Sequence, residues 1–129
     1  DMPVFLLDAG IEDLKLGPGQ LPAVSLQEFT GNLKKIVTML KKGGARINWN
    51  TIIPLPPAVP DFAAGMEDIY NRAAQEIMDA HDVYTYDLNR LVRESFPAFL
   101  EQTSLEFSGE QIEEMAHQTA SAVAFFGAQ

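Results

Sequence analysis

The sequence contains no cysteine, which excludes disulfides and thiolate metal sites. It is also poor in positive charge: nine Lys and Arg stand against eighteen Asp and Glu, for a net charge of −9 and a pI near 4.5. That balance argues against a nucleic-acid partner, because binding a phosphate backbone needs a basic footprint. The one grouping of cations, Lys34, Lys35, Lys41 and Lys42, falls on a single helical stretch and reads as a solvated face whose last two members complement the negative helix end. No apolar run approaches the ~20 residues needed to span a bilayer, so the chain reads as soluble, with no membrane partner. There is no internal repeat and no low-complexity tract. The chain opens at Asp1, directly ahead of a strand and without an initiator methionine, which reads as a cut and leaves the compartment open.

What the sequence does hold is enough apolar material for one core: 47% of its 129 residues are hydrophobic. A chain of this length buries roughly two-thirds of its unfolded surface, and a single domain over residues 1–129 is expected. The organising stretch is Met2 to Leu14. Val4 to Leu7 is apolar without alternation, as in a strand covered on both faces of a parallel sheet, and at Gly10 the run breaks into a turn. Ligands of open α/β sheets bind at the carboxyl ends of strands, so Gly10 to Asp13 is the first place to look for chemistry.

Lys15 to Val24 carries Gly17, Pro18, Gly19 and Pro22 and reads as a loop. Ser25 and Glu28 form a capping box for a helix with Leu26, Phe29, Leu33, Ile36, Val37 and Leu40 at helical spacing, ended by Gly43 and Gly44. Ala45 to Ile53 predicts a second strand, followed by a loop holding Pro54, Pro56, Pro57 and Pro60. A helix from about Gly65 to His81, a short strand at Val83 to Tyr86 and a helix capped by Asp87 and broken near Pro97 come next. Gln102 to Phe107 reads as a loop, and Ser108 with Gln111 caps a last helix whose stripe is Ile112, Met115, Ala116, Val123 and Phe126. Strand and helix alternate, so the fold class is α/β, three layers of α/β/α around a small parallel sheet of about three recognisable strands.

These pieces carry a likeness. Asp8-Ala9-Gly10-Ile11-Glu12-Asp13-Leu14 after a buried strand resembles the third conserved block, Gly-x-Asn-Asp, of SGNH (GDSL-type) hydrolases. The strand ending Thr51-Ile52-Ile53-Pro54-Leu55-Pro56-Pro57, then Tyr70-Asn71-Arg72-Ala73-Ala74 and Tyr86-Asp87-Leu88, follow that family in order and spacing. Thr103-Ser104-Leu105-Glu106-Phe107-Ser108 sits where the family has Asp-x-x-His. The resemblance covers nearly the whole chain and only the second half of a typical member, and it implies a flavodoxin-like, SGNH-type sheet.

The departures fall on the positions that carry the family's catalysis. The nucleophile block is absent, the Asn position is Glu12, the Asp position is Thr103 and the His position is Glu106. An amide donates to a developing oxyanion, whereas an ionised carboxylate only accepts and repels it; even one lost donor costs about 10² to 10³ in rate. Glutamate, with an ordinary pKa of about 4.3, is a poor base toward a serine hydroxyl. Asp13 keeps the motif's last position, where it reads as pinning the turn. His81 and His117 lie away from the loops that would form a site, Ser108 is explained as a cap, and Trp49 reads as core.

Two functional readings follow. The preferred one is a non-catalytic binding or structural module, a degenerate SGNH-like domain or the second half of one, holding a protein, a carbohydrate or a small ester-like ligand and needing no cofactor. The alternative is an enzyme of altered chemistry, either an ester hydrolase completed by another half or one in which Glu12, Asp13 and Glu106 converge as an acid/base pair or as oxygen ligands to a divalent cation; Gly10 joins these three as a candidate ligand-binding residue. In the family's strand order, 2-1-3-4-5, the Val4 to Leu7 strand would pair with a nucleophile strand this sequence lacks. An open edge is expected, and with it a homodimer or a chain that supplies the missing strands.

Overall fold

A computed structural model describes residues 4–7 and 10–127. Asp8 and Ala9 of the quoted motif lie outside the described residues, as do the side chains of Val123 and Phe126. Three strands, β1 (Val4–Leu7), β2 (Arg46–Asn50) and β3 (Tyr84–Tyr86), form a parallel sheet in the order β1-β2-β3. Val4 to Leu7 pair with Arg46 to Trp49, and Asn48 to Asn50 pair with Tyr84 to Tyr86.

The crossovers are α1 (Leu26–Lys42) and α2 (Met66–Ala80). Two right-handed crossovers that advance in the same direction put their helices on one face of the sheet, and α1 and α2 do pack on each other there. The core is this layer: Phe29, Leu33 and Val37 from α1, Tyr70, Ala74, Ile77 and Met78 from α2, and Ile47 and Trp49 from β2. Trp49 is fully buried in it. Ser25 and Ser108 both cap their helices as the sequence predicts, the full reciprocal box forming at Ser108, while at Ser25 the hydroxyl and not the N–H reaches the Glu28 carboxylate. Glu28 N–H donates to Ser25 Oγ at 3.2 Å, and Ser108 and Gln111 exchange bonds of 2.8 and 3.2 Å.

Side chains alternate along β2, so Asn48 and Asn50 face the other way, together with Leu6 of β1. This second face is covered by α3 (Leu88–Ser95) and α4 (Gly109–Gly127), which touch each other, and by the contact of α4 with β3. A 3-10 turn at Pro97–Glu101 follows the break that Pro97 imposes on α3.

One boundary differs from expectation. The second strand is predicted to reach Ile53, but the ladder stops at Asn50 and residues 51–57 run on without strand partners beyond one bond from Thr51 N–H to Tyr86 O. Pro54, Pro56 and Pro57 have no N–H to donate, so a ladder cannot continue through them. The backbone groups there are taken instead by side chains, described next.

Candidate functional site

The carboxyl edge of the sheet is built from three segments: the turn after β1, the extended run after β2, and the start of α3. Gly10 sits at φ +123°, a conformation that side-chain-bearing residues rarely adopt, and its missing Cβ leaves room for Ile52 and Phe29. A 3-10 turn at Glu12–Leu14 follows, closed by Asp13 N–H to Gly10 O at 3.1 Å.

The run after β2 is held by buried polar side chains. Asn71 brackets Ile52, accepting from its N–H at 2.7 Å and donating to its carbonyl at 3.0 Å. Asn89 Nδ2 donates to the same carbonyl at 2.9 Å, while Asn89 N–H donates to Thr51 Oγ1 and that hydroxyl donates to Asp87. Glu67, 2% exposed, accepts from Leu55 N–H at 2.6 Å and Gly65 N–H at 2.7 Å, with the Arg93 guanidinium 3.9 Å away. Arg93 is fixed in turn by donating to Asn89 Oδ1 at 2.8 Å. The sequence reading did not single out Glu67, Asn89 or Arg93. Polar residues inside helical stretches look solvated until the fold shows which face they take.

Between this edge and α4 lies a groove of about 460 Å³. Leu6, Ile11, Ile53 and Leu88 line it from the sheet side, and Phe107, Ile112 and Met115 from the α4 side. Phe107 is held by stacking on buried Phe99, ring centroids 4.2 Å apart. The polar lining is Asn50 and Thr119, and Thr119 donates to Met115 O within its own helix. Asn50 is 7% exposed and its Oδ1 has no hydrogen-bond partner.

Of the residues the sequence singled out, Gly10 is structural, and Glu12, Thr103 and Glu106 are exposed and do not line the groove. Glu12 pairs with Lys15 at 2.9 Å on the surface. The expected carboxylate cluster does not assemble: among the described residues, no group of three or more His, Cys, Asp or Glu could hold a metal ion. Glu12 is tied to its neighbour in sequence, and Glu106 lies in a loop whose ordering comes from Gln102 donating to its carbonyl. His81 caps α2 with its ring against Ile77 O, and exposed His117 sits on α4.

Asp13 is half-buried, and burial, reinforced by the adjacent Glu12 charge, raises its pKa above the ordinary 3.8. A carboxyl with a raised folded-state pKa contributes stability below its ordinary value and loses that contribution as pH rises through the folded value, so at neutral pH the ionised group costs stability. Asp13→Asn should therefore stabilise the protein at pH 7 by up to about 0.5 kcal/mol, the effect being limited by solvent screening. Urea midpoints of both forms should converge near pH 3. A gap that persists there would assign the effect to something other than ionisation.

No protein-family model matches this sequence, and no curated protein matches it. A search of solved structures finds the lipase/acylhydrolase from Enterococcus faecalis, with a TM-score of 0.71 at 18% identity, over 92% of this chain. The two chains share a fold. It is the three-layer α/β/α arrangement that the SGNH resemblance implied, and this chain spans 59% of the length of that protein.

Proposed function

We propose that this chain is a non-hydrolytic binding or structural portion of a lipase/acylhydrolase-like fold. The observation that carries this reading is the groove at the carboxyl edge. Its described lining is apolar apart from Asn50 and Thr119, it holds no base and no carboxylate, and its one hydroxyl, on Thr119, donates to Met115 O within its own helix. Acyl transfer needs a nucleophile within hydrogen-bond reach of a base, with donors aimed at the developing oxyanion. The residues at the matching positions, Glu12, Thr103 and Glu106, point to none of these roles.

The purified chain should leave p-nitrophenyl acetate and butyrate intact, with or without Mg²⁺, Ca²⁺ or Mn²⁺. Hydrolysis clearly above a heat-denatured control, abolished by a serine-directed inhibitor, would overturn the reading.

A further inference from the structure

At the other end of the sheet from β1, where β3 stops, two polar clefts meet, and all of their described walls come from residues 51–95. One, of about 410 Å³, lies between α2 and α3. It is lined by the amides of Asn71, Gln75 and Asn89 and the charged groups of Asp68, Arg72 and Asp87, and no described residue in its wall is apolar. The other, of about 390 Å³, runs along β3 and α3, with Tyr84, Tyr86, Arg90 and Glu94 in its wall and Leu91 as its one described aliphatic residue. Asp87 belongs to both clefts, and Gln75 of the first donates to Thr85 Oγ1 of the second at 3.0 Å. The two therefore form one continuous channel past the end of β3.

On an ordinary solvated surface polar side chains swing freely, whereas these are fixed. Asn71 and Asn89 both donate to the Ile52 carbonyl, and Gln75 also donates to Asp79 at 2.9 Å. Asp87 accepts through Oδ1 from Thr51 Oγ1 and from Arg90 N–H, each at 3.1 Å. Groups already ordered in the fold lower the entropy lost when a ligand binds. Hydrogen-bonding capacity is left over. Asp87 Oδ2 takes no bond among the described residues, and Arg72 makes no ion pair among them, while Asp68, one turn before it on α2, has Arg93 at 3.6 Å.

The chemistry of the walls narrows the ligand. A channel without an apolar pocket has no place for a lipid chain. Arg72 and Arg90 stand against Asp68, Asp87 and Glu94, and Arg90 is paired with Glu94 at 2.9 Å, so a phosphate meets no net positive charge. What fits is a neutral molecule that donates and accepts along its whole length. A carboxylate accepts from sugar hydroxyls, and a guanidinium donates to hydroxyl and ring oxygens. Tyr84 and Tyr86, half-buried and two residues apart, stand on one face of β3. Their rings offer apolar surface with a hydroxyl at the rim, which suits the C–H face of a pyranose.

We propose that this channel binds a neutral oligosaccharide, with Asp87 and Arg72 contacting its hydroxyls and Tyr84 and Tyr86 packing on its rings. The channel lies apart from the groove read above as non-hydrolytic, so the esterase assay bears on that reading alone.

The test is proton–nitrogen correlation NMR on the purified, labelled chain, titrated in turn with cellotriose, triacetylchitotriose, xylotriose and maltotriose. Glycine and inorganic phosphate serve as charged probes. At least one of the sugars should shift the side-chain amide signals of Asn71, Gln75 and Asn89, with a Kd of about 1 mM or below. Arg72→Ala, at an exposed position with no ion pair among the described residues, should keep the circular dichroism of the parent chain and weaken that binding by about tenfold or more. Amides that none of the sugars moves, or sugar binding as tight in Arg72→Ala as in the parent chain, would overturn the proposal. Shifts produced by glycine or phosphate in place of the sugars would overturn it too, by making the ligand a charged one.

Discussion

Glu67→Ala should destabilise the protein by roughly 3 kcal/mol, the range expected when one partner of a buried charged network is removed. For a chain of this size that is a fall in Tm of roughly 10 °C. The carboxylate is all but inaccessible and accepts from Leu55 N–H and Gly65 N–H, so alanine strands two donors and leaves Arg93 without the buried half of its ion pair. Arg93 keeps Asp68, 3.6 Å away on the surface, which cannot reach the two backbone groups. Glu67→Gln retains one acceptor oxygen and should lose about half as much. Thermal unfolding followed by circular dichroism measures both. Equal losses for the two variants would mean that charge, and not the backbone bonds, is what Glu67 supplies.

Gly10→Ala should cost about 2 kcal/mol, because two penalties add. One is conformational, since φ +123° suits glycine alone. The other is steric: an added Cβ would lie 2.6 Å from Ile52 Cδ1 and 2.9 Å from its Cγ1. These can be separated. An Ile52→Val background removes Cδ1, the nearer of the two atoms, and keeps Cγ1, so the steric part is partly relieved and Gly10→Ala should cost measurably less there while the conformational part persists. An alanine as stable as glycine at this position would contradict the turn as described.

The parts of this fold that were legible in the sequence are those in which a local signal and the global structure agree. Ser25 with Glu28 and Ser108 with Gln111 cap helices because each pair lies within four residues. The Val4 to Leu7 run is a strand with no need of distant information. The end of β2 was less legible. Thr51 to Ile53 has strand chemistry, but its backbone groups are claimed by Asn71 and Asn89, which arrive from α2 and α3. The site was legible as a location and not as a composition. Glu12 and Glu106 could be placed near the carboxyl edge, yet whether they meet depends on how the loop before α4 is tethered, and that rests on Gln102 and on Phe107 against Phe99. The groove itself is formed by residues far apart in sequence, from Leu6 to Thr119, and no spacing announces it.

The order of the strands has a consequence for how the chain is made. Each strand pairs with its immediate successor, so the order β1-β2-β3 repeats the order of synthesis. The β1, α1, β2 unit is complete once Asn50 has emerged, and α2 then docks on α1 and delivers β3 to an edge that already exists. Assembly from the ribosome can therefore be vectorial, each strand templating the next without waiting for the chain's end. By the same ordering α4 follows the three described strands and joins α3 on the second face of the sheet.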